Sequence, residues 1–176
     1  MTLDKTVGNQ MKKNQSLVER IGLYIPLYKG YKEKNLRRDE DRAVRTEVAR
    51  VLERAKLDLV TVQRVTLNDL DLMRDAERIR GKADRYCVDV KKAVNGYSAF
   101  HDSVKILESE LDALIEWDAK LIDDANSLKE QTAEMVIRTD AGETNLKTPL
   151  RELEITIDRL IEDYNGRETV MRGFKE

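Results

Sequence analysis

Few residues in this chain have a type and spacing that suggest chemistry. His101 is the only histidine, and no Glu lies three residues before it. The Glu-x-x-His pairs of a di-iron helical site are therefore missing. His101 stands beside Asp102 at the expected start of a helix and reads as a surface or capping residue. Cys87 is the only thiol, next to Tyr86 on an apolar seam. A buried structural cysteine is the expectation; a nucleophile would require His101 to approach it across the turn at 95–97. Glu108, Asp112 and Glu116 step by four, so they share one helix face. Like charges at that spacing repel unless a cation or a basic surface compensates them; solvation with nearby Lys105, Lys120 and Lys129 is the plainer reading. Neither common glycine-rich phosphate loop occurs. The expectation is a protein that is not an enzyme and has no cofactor, metal site or small-molecule substrate.

One segment suggests contact rather than catalysis. Leu23, Tyr24, Ile25, Leu27 and Tyr28 are followed by Lys32, Lys34, Arg37 and Arg38. An apolar body beside cations suits an interfacial anchor. The same residues also suit a cap folded over the end of a helical core, with the cations solvated. Nucleic acid is the weakest partner, because the net charge is −2 and Asp39, Glu40 and Asp41 follow at once. Charge is unevenly spread: residues 1–38 hold nine Lys/Arg and three Asp/Glu, residues 101–136 three Lys and ten Asp/Glu. Such asymmetry serves intramolecular pairing, self-association or an anionic partner.

The elements that position these groups are helices. Charged residues make up 38% and aromatics 5%, with 8 Gly and 2 Pro, which fits long solvated helices with few joints. No stretch has the roughly 18 apolar residues of a spanning helix, and Met1 to Gln15 lacks the apolar run of a signal peptide. With a lone cysteine, a cytoplasmic location is expected.

Apolar residues recur in alternating steps of four and three. Val44, Val48, Val51, Ala55, Val62 and Val65 begin the pattern, which continues from Leu72 through Ala76, Ile79, Ala83, Tyr86, Val90, Ala93 and Tyr97. Thr66 offers a cap for a new helix with Asp69 at N3, so a break is expected there. Asn95-Gly96 reads as a stop and Ser98 as the next cap. Leu107, Leu114, Leu121, Leu128 and Met135 then repeat every seven residues, with Asp118 and Thr132 as polar members of the seam. Thr148-Pro149 reads as a capped start with Pro at N1, and Asn165-Gly166 as the last stop.

The run GYKEKNLRRDEDR, Gly30 to Arg42, resembles a segment of small uncharacterised helical prokaryotic proteins. That resemblance implies no activity. The layout, a basic amphipathic N-terminus ahead of long helices with an acidic later one, is similar to membrane-remodelling scaffolds of the phage-shock and ESCRT-III kind.

The expected fold is all-α: an antiparallel bundle of three to four long helices with coiled-coil-like heptad seams, near 32–66, 68–95, 98–138 and 147–165. Residues 1–31 form a partly helical, amphipathic arm, 32–166 the bundle and 167–176 a loose tail. The expected function is a helical interaction or scaffold protein acting through protein–protein contacts, with a peripheral protein binding anionic lipid through residues 17–38 as the alternative. A homodimer is the favoured assembly, because a last helix of about 18 residues would leave seam near Leu121 to Met135 or Val44 to Ala55 uncovered.

Overall fold

The computed structural model describes residues 2–96, 100 and 105–174, with side-chain detail for 9–93, 100 and 105–174. Every regular element among them is helical: α1 (Thr2–Gly22), α2 (Arg37–Val65), α3 (Leu70–Gly96), α4 (Glu108–Asp140) and α5 (Lys147–Gly173), with short 3-10 turns at Lys34–Leu36 and Thr66–Asn68. His101, Asp102, the seam residue Tyr97 and the expected cap Ser98 lie outside the described residues.

Ion pairs record the direction of each helix. Glu53–Lys91 and Lys56–Asp84 run α2 against α3 in opposite senses. Asp118–Arg167 and Asp124–Arg159 do the same for α4 and α5. Arg78–Glu154 and Lys82–Asp158 set α3 parallel to α5, and Lys13–Glu116 and Arg20–Asp123 set α1 parallel to α4. α2 packs against α3 and α4, and α5 against the same two, so these four helices close a ring. α1 lies outside it on α4 and, among the described residues, packs on no other helix.

The four-three residues fill the space between. Val44, Val48, Val51, Ala55 and Val62 are buried, as are Ala76, Ile79, Ala83, Val90, Leu114, Leu121, Leu128 and Met135. Val65, the last residue of α2, is exposed, and so is Leu107. Leu107 precedes the first turn of α4 with extended backbone, so its place in the seven-residue repeat has no helix to carry it inward. Its amide instead donates to the Glu110 carboxylate at 2.7 Å.

Several boundaries differ from expectation for local reasons. α2 and α3 are separate, as expected, but the cap is Asp69. Its Oδ1 accepts from the amides of Asp71 and Leu72, while the Thr66 hydroxyl turns back to the carbonyl of Val62. α5 starts at Lys147, one residue before Thr148, and Pro149 sits within the first turn, where its missing N–H breaks no bond. The larger correction is at the far end. α5 does not stop at Asn165-Gly166 but runs through Gly173, so residues 167–173, expected as a tail, are its last two turns. The seam residues that were expected to stay uncovered, Leu121, Leu128, Met135, Val44, Val48, Val51 and Ala55, are buried within the chain, while the added turns of α5 lie opposite Asp118 and Asp41.

Gly166 marks a packing contact instead of a stop. A Cβ built on it would lie 2.6 Å from the ring of Trp117. By helix propensity alone Gly166→Ala gains about 1 kcal/mol. The ring contact reverses the sign. Gly166→Ala is expected to lose about 1–3 kcal/mol in denaturant unfolding and to change the emission of Trp117, the sole tryptophan. A stabilised variant with unchanged emission would contradict this packing.

Candidate functional site

The most concentrated polar chemistry is inside the protein, not on its surface. Arg45 on α2 and Arg167 on α5 are each 0% exposed. A buried guanidinium demands carboxylates and well-made hydrogen bonds, and both have them. Arg167 Nε donates to Asp118 Oδ1 at 2.5 Å, its Nη1 lies 2.8 Å from Asp41 Oδ1, and its Nη2 donates to the Tyr31 hydroxyl at 3.0 Å. Arg45 Nε binds Asp41 at 3.0 Å, its Nη2 lies 2.6 Å from Glu168, and its Nη1 donates to the Tyr164 hydroxyl. Asp41 Oδ1 thus serves both arginines.

Asp118 anchors the N-terminal arm as well. Its Oδ2 accepts from the hydroxyls of Tyr28 at 2.7 Å and Tyr31 at 2.6 Å. Burial, reinforced by the Asp118 charge, pushes both phenols well above their ordinary range, so they stay protonated donors. A row of rings continues outward: Tyr31 stacks on Phe100 at 5.4 Å and Phe100 meets Phe174 at 5.9 Å. One cluster therefore joins the arm, α2, α4 and α5.

The residues expected to form an interaction surface divide. Ile25 and Tyr28 are buried, whereas Leu23 and Leu27 are 78% and 87% exposed and Tyr24 is 43% exposed. They sit on the turn after α1, where Leu27 has a φ of 71°, a left-handed conformation costly for a leucine. Lys32, Lys34 and Arg38 are exposed and Arg37 is half-buried. Arg37 donates to the carbonyl of Tyr31 and Arg38 to that of Phe100, which ties these two cations to backbone. Lys32 and Arg37 border a cleft with Glu108 and Asp112, near the start of α4, while Arg20, three residues before Leu23, pairs with Asp123. Eleven residues of helix, about 16 Å, separate those levels. The apolar turn and the basic residues do not form one patch.

Two of the three carboxylates on the acidic face of α4 are met from within the chain. Asp112 accepts from Asn14 and Glu116 pairs with Lys13, both from α1. Cys87 is buried, its Sγ near the carbonyl of Ala49 at 3.7 Å, and burial pushes its thiol up, away from the reactive thiolate. Among the described residues no group of three or more side chains is placed to hold a metal ion, and no helix is long and apolar enough to cross a membrane. Sequence reasoning noted Asp118 as a polar seam residue but missed Arg45 and Arg167. The four-three step from Leu160 through Tyr164 to Arg167, Met171 and Phe174 was the signal that marked the second. No protein-family model, curated protein or solved structure matches the chain.

Two predictions follow from these charges. Arg167→Met leaves Asp118 buried without its cation, so a loss of about 3–5 kcal/mol is expected in denaturant unfolding. Adding Asp118→Leu should recover part of it, and a single variant within about 0.5 kcal/mol of the parent would show that the pair carries little. The second concerns Asp124, buried between α4 and α5 beside Asp163 and Arg159. Burial and the hydrogen bond with Asp163 push its carboxyl up to about 6 from 3.8. The folded state then holds the extra proton between those values, and stability falls as pH rises from 4 to 6 by about 1–3 kcal/mol. Asp124→Asn, which keeps a neutral acceptor for Arg159, should exceed the parent in stability at neutral pH and lose that advantage near pH 4. Equal midpoints at both pH values would contradict the assignment.

Proposed function

We propose that this is a non-enzymatic helical interaction or scaffold protein, an antiparallel bundle packed along heptad seams that acts through protein–protein contacts. One observation carries the reading. The groups with chemical potential, Arg45, Arg167, Asp41 and Asp118, are buried and consumed in binding one another, whereas Leu23, Tyr24 and Leu27 stand out at a turn whose Tyr28 end the cluster holds. An apolar projection on a fixed base is the anatomy of a contact anchor. The open seam on which self-association was expected is filled within one chain, so a homodimer has no apolar strip there to use. A protein partner that takes up the turn is therefore the proposal.

The exposed Leu23, Tyr24 and Leu27 also favour a second reading, insertion into the interface of an anionic bilayer. The turn has the side chains for it and is flanked by Arg20 and Lys29, but Lys32 and Arg37 lie toward the start of α4. Leu23→Glu with Leu27→Glu tests both readings. Cross-linking of the protein in its native cells, followed by purification, is expected to capture a defined protein with the parent and to lose it with the variant, at unchanged helicity and melting temperature. Capture that survives the variant would defeat the turn as the anchor. Co-sedimentation with phosphatidylserine-containing vesicles, abolished by the variant, would replace the first reading by the second.

A further inference from the structure

α1 is attached differently from the other helices. The ring of α2 to α5 closes without it, and α1 rests on α4 alone among the helices described. Its attachment is half polar. Lys13–Glu116 and Arg20–Asp123 are about half exposed, where ion pairs contribute little and are screened by salt. Asn14, on the face turned to α4, bonds Asp112. Ile21 is buried, Leu17 and Val18 pack half-buried against the core, and Val18 and Ile115 both lie against Gly30. By contrast, residues 28–31 are held by two buried tyrosine hydroxyls on Asp118 and by Gly30, whose φ of 74° brings the backbone against Ile115. A firm anchor thus follows a weakly held helix. Between them lies the exposed turn with its left-handed Leu27.

We propose that α1 is a detachable strap: it lifts from α4 by a hinge at residues 23–27 while Tyr28 and Tyr31 stay in place, baring the α4 face that carries Asp112, Glu116 and Asp123. The polar inlay suits reversible docking. Asn14 and Asp112 satisfy each other when α1 is down and meet water when it is up, so opening leaves no buried polar atom stranded. Strain at Leu27 is relieved when the turn loosens. The hinge and the proposed contact turn are the same residues, of which only the end at Tyr28 stays held, and the exchange test reads the strap with no partner present.

Amide hydrogen exchange on the full chain tests it, at low salt (about 0.05 M) and at about 0.5 M NaCl. Amides of residues 14–22 are expected to exchange roughly tenfold or more faster than those of residues 114–128 in α4, and to accelerate severalfold in high salt while the slowest α4 amides do not change. Asp112→Ala should speed α1 in the same selective way. Slow exchange in α1 equal to that of α4, or acceleration of both helices together, would overturn the proposal, because α1 would then belong to the same cooperative unit. Free-peptide exchange rates in α1 at low salt would also overturn it, since a strap must dock. Should Asp112→Ala fail to fold, the salt series on the parent decides alone.

Discussion

The contact between Asp118 and Arg167 is the constraint on which the rest of the structure depends. Neither group is exposed, so each is tolerable inside the protein only with the other in place. Arg167 reaches Asp118 only if α5 continues past Gly166, and Gly166 is admissible there because Trp117 occupies the space a side chain would take. Asp118 is satisfied only if Tyr28 and Tyr31 return along α4 to meet its second oxygen. The left-handed backbone at Leu27 and Gly30, and the exposed turn between α1 and the arm's anchors, follow from that return.

A buried ionic cluster is an expensive way to gain stability, since apolar residues of the same volume often do as well. Its value here lies in position. Leucine and valine seams pack in several registers, but two arginines, three carboxylates and three tyrosines find all their partners in one arrangement only. That distinction suits a protein with an exposed apolar turn beside the cluster, because the end of the turn at Tyr28 is held where the cluster holds it.

Much of the fold was legible because period and burial coincide. Val44 to Val62, Ala76 to Val90 and Leu114 to Met135 repeat at four and three and are buried, and the break near Asp69 fell where the turn residues allow it. Legibility failed where polar residues take seam positions. Asn14 interrupts the apolar stripe of α1, so the helix reads as a frayed arm; Arg167 does the same in α5. There a local signal, Asn-Gly, opposed a tertiary one, the ring of Trp117, and the tertiary one prevailed. The surface was only half legible: burial of Ile25 and Tyr28 beside exposure of Leu23 and Leu27 depends on where Asp118 lies, some ninety residues away in sequence.

A double-mutant cycle between Arg45 and Asp118 measures whether the cluster behaves as one unit. The two are linked through Asp41 and Arg167. Arg45→Met, Asp118→Leu and the double variant are compared by denaturant unfolding with the parent. A shared network predicts a coupling energy of about 1 kcal/mol or more. Additivity within about 0.3–0.5 kcal/mol would contradict it, and would mean that each charge is held by its nearest neighbours alone.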